Sequence, residues 1–140
     1  MMQTPIITLI IALLAVAAFG ADDDKGKHDP APPPNADVPK LSVDEFDKKR
    51  QEKDTVVLDV RTPEEFKAGH VPGAVNVDVG DKDFAKKVDA LDKNKTYLVH
   101  CARGGRSARA TELMRPKFDK LYDFSGGMTA WQKAGKPVEK

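Results

Sequence analysis

The chain has 140 residues, a formal net charge of +1 at neutral pH, 32% charged residues and one cysteine. A near-neutral balance argues against a general binder of nucleic acid or of membrane surfaces, and a single thiol excludes an internal disulfide framework. The length suits one domain.

The N-terminal segment stands apart from that domain. IITLIIALLAVAAF, from Ile6 to Phe19, is an apolar run between polar MMQTP and ADDD. A spanning helix needs about 20 apolar residues, so the run is short for a membrane span. Small residues at Ala18 and Gly20 fit the A-x-A-like rule for signal cleavage. Residues 1–20 are therefore expected to be a signal peptide, and the mature protein to be periplasmic or secreted. A membrane association is expected only if that segment stays uncleaved. Residues 21–39 hold five of the ten prolines, and from Asp22 onward Val38 is the one large apolar side chain. Such a stretch cannot bury enough surface to offset its ordering entropy and is expected to be a disordered or polyproline-like linker. His28, among its aspartates, is expected to be solvated. No metal-ligand cluster occurs elsewhere, so no metal is expected.

Residues 40–140 form the expected domain, enough for one small core. SVDE at Ser42 has capping-box spacing and predicts a helix with Phe46 turned inward. TVVLDV, from Thr55, predicts a strand. TPEE at Thr62 repeats the capping device with Pro63 in the first turn, and Gly69 marks the stop. AVNV, from Ala74, predicts a second strand. Phe84, Val88 and Leu91 form an amphipathic stripe on a third segment. TYLVHC, from Thr96, predicts a strand ending at Cys101. A further helix is predicted from about Ser107 to just before Pro116, with Leu113 and Met114 inward, and KLYDF, from Lys120, predicts a last strand. Strands alternating with helices predict an α/β domain with a mainly parallel sheet covered by helices on both faces. In such sheets ligands gather outside the carboxyl ends of the strands, where Cys101 falls.

The sequence around that cysteine is HCARGGRS. Gly104 and Gly105 open backbone angles closed to other residues, so several N–H groups can converge on the sulfur. The following helix start and the charges of Arg103 and Arg106 favour the thiolate further. A free cysteine has a pKa of ~8.5, and such surroundings lower it to ~3.5–7.5. This reading makes Cys101 a nucleophile, ionised near neutrality and open to solvent. His100 is a poor partner, because neighbouring residues of a strand point to opposite faces.

Two chemistries use a thiolate in a cradle of this kind. One attacks phosphorus, and HCARGGRS is similar to the HCxxGxxRS signature of cysteine-dependent phosphatases and of enzymes that reduce arsenate. Four residues, Ala102 to Gly105, separate cysteine and arginine here, against five in that signature. The other chemistry attacks a sulfane sulfur and retains it as a persulfide. A shorter loop makes a narrower cradle, suited to one sulfur rather than a phosphoryl group, and no WPD-like loop supplies a general acid.

Three motifs in order resemble the rhodanese family, in its single-domain, thiosulfate sulfurtransferase-like form. They are DVRTPEEFKAGHVPGAVN from Asp59, CARGGRS from Cys101 and GGMTAWQKAGKPV from Gly126, and the likeness covers nearly all of residues 41–138. The resemblance implies a persulfide on Cys101, held by backbone amides of Ala102, Arg103, Gly104, Gly105, Arg106 and Ser107. It implies that Arg103 and Arg106 bind a small anionic sulfur donor, and that a thiol or cyanide-like acceptor removes the sulfur, a double displacement that needs no metal or organic cofactor. Asp59 and Arg61 would fix the loop and the TPEE helix, while His70 and Trp131 would be structural. A monomer is expected. A non-catalytic binding module that keeps the loop is the remaining alternative. Arg115-Pro116-Lys117 stands where relatives usually have a glycine, which implies altered local geometry after the helix.

Overall fold

Strands buried on both faces must be apolar at consecutive positions, and the two central strands of this protein are. The structure, a computed structural model, describes residues 37–140. The expected signal peptide and residues 21–36 of the expected linker lie outside the described residues. Strand β1 is Thr55–Asp59, β2 Val75–Asn76, β3 Thr96–His100 and β4 Leu121–Phe124. They form one parallel sheet in the order β2-β1-β3-β4. Alternate residues serve opposite cores. Leu58 and Val99 face Phe84, Val88, Ala110 and Met114, while Val57 and Leu98 face Phe46, Met128 and Trp131.

The helices are α1 Val43–Lys49, α2 Pro63–Ala68, α3 Phe84–Asp89, α4 Gly105–Met114 and α5 Gly127–Lys133. Ser42 caps α1 by accepting from the Glu45 N–H. Thr62 and Glu65 complete a reciprocal capping box on α2, with Pro63 in its first turn and Gly69 at its end. Phe46 stacks on Phe124 at 4.2 Å and meets Trp131 edge-on at 5.4 Å, forming the aromatic centre of one core.

Three features depart from the sequence reading. Helix α4 begins at Gly105, two residues early. Of the two side chains expected inward, Met114 is fully buried but Leu113 is 51% exposed. Successive helical residues are about 100° apart, so one core stripe cannot take both. Helix α5 lies in the third family-like motif, for which no element is predicted, and its segment GGMTAWQK opens with two poor helix formers. At the other end of the domain, Pro39 already belongs to the fold. Its carbonyl accepts from the Asp123 N–H, and Leu41 N–H returns a bond to the Asp123 carbonyl, each at 2.9 Å. After Arg115 the chain turns within a few residues, with Lys117 and Phe118 N–H both donating to the Met114 carbonyl.

Connectivity positions the site. From β1 the chain leads outward through α2 to β2, and from β3 it leads the opposite way through α4 to β4. The carboxyl ends of β1 and β3 therefore flank a topological switch point, where a crevice opens.

Candidate active site

Cys101 directly follows the last residue of β3, and three residues later Gly104 turns the chain with φ +104°. A side chain at Gly104 would place Cβ 2.5 Å from the Ser125 carbonyl oxygen. Glycine is thus required there on two grounds, angle and space. Gly105 differs from expectation: its φ is ordinary and a Cβ would meet nothing within 4 Å.

The turn aims peptide groups at the sulfur. Gly104 N–H donates to Cys101 Sγ at 3.0 Å. Burial alone would push the thiol pKa up, but it is outweighed by the polar groups around the sulfur, the Ser107 N–H, the Gly104 N–H, the Ser107 hydroxyl and the Arg103 N–H. The net shift is downward, toward thiolate. The Ser107 hydroxyl also reaches the Gly104 carbonyl at 3.1 Å, bracing the turn. Among the described residues, no group of three or more His, Cys, Asp or Glu is placed to hold a metal ion.

The two loop arginines have different surroundings. Arg106 forms a bidentate pair with Glu65, Nη1 to Oε1 at 2.6 Å and Nη2 to Oε2 at 2.9 Å. The side chains are 37% and 36% exposed, so the pair ties α2 to α4 at the protein surface. Hydrogen bonding to Arg106 holds the Glu65 carboxyl at about 2 despite some desolvation. Arg106 also senses the sulfur charge, which raises its pKa after the Glu65 contacts. Arg103 is exposed and turns its N–H, rather than its side chain, to the sulfur.

Surrounding elements fix the loop from below. Met128 and Thr129 N–H donate to the Cys101 and Ala102 carbonyls at 2.9 and 3.1 Å. This approach requires Gly127, whose φ is +59° and whose Cβ would collide with the Cys101 carbonyl. Asp59 and Arg61 pair at 2.7 Å, and Arg61 Nη2 donates to the Gly69 carbonyl at the end of α2, also at 2.7 Å. They brace α2 and touch the cysteine loop only through His100, whose Nε2 lies 3.7 Å from Asp59. His100 contacts Phe46 and Phe124, and its Nδ1 lies 3.1 Å from the Cys101 carbonyl, on the face away from the sulfur. Burial lowers its pKa, so the ring stays neutral. His70 stacks on Phe66 at 3.7 Å and bonds its carbonyl, and Trp131 Nε1 donates to the Pro137 carbonyl.

Openness is where the site differs most from expectation. Cys101 keeps only 1% of its surface, because the loop wraps the sulfur and leaves it at the floor of the cradle. The rim is accessible: Arg103 and Gly105 are exposed, and Ala102, Gly104 and Arg106 half-buried. Sequence reasoning also missed Glu65, whose capping spacing accounted for it fully, and Asp123. That aspartate is buried in β4, where its Oδ1 has no hydrogen-bond partner among the described residues. Burial raises its pKa, with Ser107 and Lys40 opposing the rise.

The parallel sheet and the cysteine at the foot of an amide-lined loop define a cysteine-loop α/β domain. Residues 42–134 match the model of the rhodanese-like domain, and the chain belongs to that family. It is 40% identical over 93 residues to "Thiosulfate sulfurtransferase 16, chloroplastic" of Arabidopsis thaliana, covering 59% of this chain and 78% of that protein. A rhodanese-related protein from Thermoplasma volcanium superimposes with a TM-score of 0.66 at 29% identity, over 73% of this chain and 98% of that one. A rhodanese-like domain protein from Staphylococcus aureus gives 0.62 at 28% identity, over 74% and 100%. The Arabidopsis relative is named for sulfur transfer, and the fold of this chain is the rhodanese-like one.

Proposed function

We propose that this domain moves a sulfane sulfur from a thiosulfate-like donor to a nucleophilic acceptor through a persulfide on Cys101. The observation carrying the reading is the sulfur held 3.0 Å from the Gly104 N–H, in a loop with four residues between Cys101 and Arg106. In the first step the thiolate attacks the outer sulfur of the donor. The donor S–S bond breaks and its electron pair leaves with sulfite, so Cys101 carries an S–S anion. In the second step cyanide, or a thiol, attacks that outer sulfur, giving thiocyanate or a new persulfide and regenerating the thiolate. Both steps conserve charge and electrons without a cofactor. Fixed amide dipoles stabilise sulfur anions at the start and end of each step without reorganising.

The phosphatase alternative is opposed by the short loop and by Arg106, whose guanidinium fork is occupied by Glu65. The relative named a thiosulfate sulfurtransferase supports the donor class. After thiosulfate treatment, intact mass should rise by one sulfur at Cys101, and thiocyanate should form on adding cyanide. Both should vanish in Cys101→Ser. Aryl phosphate turnover without sulfur loading would replace this reading with the phosphatase one, and an unreactive thiol of ordinary pKa would leave a binding module. Export as a monomer belongs to the same proposal, supported by the apolar run and small residues ending at Gly20. N-terminal sequencing of the mature protein and its sedimentation test those points.

A further inference from the structure

We propose that Glu65 is a specificity-determining residue, biasing the site toward sulfur donors of single negative charge over the dianion thiosulfate. The inference rests on the sulfurtransferase reading and on one juxtaposition. The arginine best placed to receive an anionic donor is already held, through both nitrogens of its fork, by a carboxylate of α2.

The charges near the sulfur make the argument. The thiolate is stabilised chiefly by peptide N–H groups, which carry no net charge. Beside it, Arg106 is the cation that senses the sulfur charge, and Glu65 is paired with it, so the thiolate and Glu65 together outnumber that one positive charge. Without Glu65 the whole Arg106 charge would be left to face the thiolate and an incoming donor. Glu65 is also no mobile surface group. Its Oε1 accepts from the Thr62 hydroxyl at 3.1 Å, and its backbone N–H donates back to that oxygen at 3.2 Å, so the capping box fixes the carboxylate where Arg106 meets it. A sulfonate group over the loop must either share Arg106 with this carboxylate or lie beside it. The cost grows with each negative charge the donor carries. At a separation of about 8 Å and an effective dielectric of about 40, one carboxylate charge weakens binding about fivefold per unit of donor charge.

The test compares two donors with the same terminal sulfur and different charge, thiosulfate and methanethiosulfonate. The second transfers its sulfur with a sulfinate leaving group, in the same displacement. Glu65→Gln removes the charge and retains the helix start, because glutamine also serves at the third position of a capping box. The ratio of kcat/KM for thiosulfate to that for methanethiosulfonate should rise about fivefold in Glu65→Gln at low salt, with the gain shrinking as salt screens it. In Glu65→Gln combined with Arg106→Gln, which removes one charge of each sign, the ratio should return toward that of the unmodified protein. A purely structural tie between α2 and α4 would lower both donors in parallel and leave the ratio unmoved, which overturns the proposal and leaves sulfur transfer standing. Failure of either donor to load Cys101 in the unmodified protein would overturn both.

Discussion

Two adjacent glycines in the cysteine loop should respond oppositely to one added methyl group. At Gly104 an alanine must hold φ +104° and push Cβ to within 2.5 Å of the Ser125 carbonyl oxygen. A non-glycine residue in such a region costs about 1–3 kcal/mol, and an overpacked contact that moves backbone costs about 1–3 kcal/mol more. Gly104→Ala should therefore lose about 2–6 kcal/mol. The N–H bonded to Cys101 Sγ should shift with it, raising the thiol pKa. At Gly105 φ is ordinary and the new Cβ meets nothing, at the first residue of α4. There alanine should be neutral or stabilise by up to about 1 kcal/mol, through a less flexible unfolded chain. Urea denaturation of both variants reads the first effect, and the pH dependence of alkylation reads the second. At about 4–8 °C per kcal/mol for a domain of this size, the two variants should differ by at least about 8 °C in Tm. Equal losses at the two positions would refute the claim that the turn is specified by a single residue.

Four further outcomes can be checked. The Cys101 alkylation rate should titrate below a free thiol's ordinary value, and Ser107→Ala should move the midpoint up by removing the hydroxyl that favours the charged sulfur and braces the turn. Because the sulfur lies at the cradle floor, a bulky reagent should lag a small one by more in the folded protein than in the urea-unfolded chain. Glu65 is held at about 2 against an ordinary 4.5, so its contribution to stability is present above pH 4.5 and is lost as pH falls toward 2. With the side chain about a third exposed, that contribution is roughly 1 kcal/mol, and the stability gap to Glu65→Gln should close over this range in acid titration. Met114→Ala should cost about 2–5 kcal/mol by urea denaturation, while its exposed neighbour Leu113→Ala should stay within about 0.5 kcal/mol.

Local signals carried the sequence reading furthest. The Ser42 and Thr62 caps, the apolar strand centres and the position of Cys101 beyond β3 each depend on neighbours within a few residues, and each was legible. What escaped depends on pairs distant in sequence. Glu65 and Arg106 are 41 positions apart and meet only because β1 and β3 are adjacent. Gly127 and Met128 underpin the loop from α5, an element whose glycines spoke against a helix until the Cys101 carbonyl gave its N-terminus a partner. The choice between Leu113 and Met114 turned on helix phase, which apolar character alone does not fix. The depth of the sulfur was also invisible, because a glycine-rich loop says how freely a chain can turn but not how closely it will wrap.

The anion at Cys101 is held mainly by atoms that nearly every residue possesses. Its environment is therefore inherited with the bend of the chain and depends little on which side chains decorate it. Positions 102, 103 and 105 are consequently free to diversify, and a library randomised there should retain the nucleophile while sampling new preferences for what it meets.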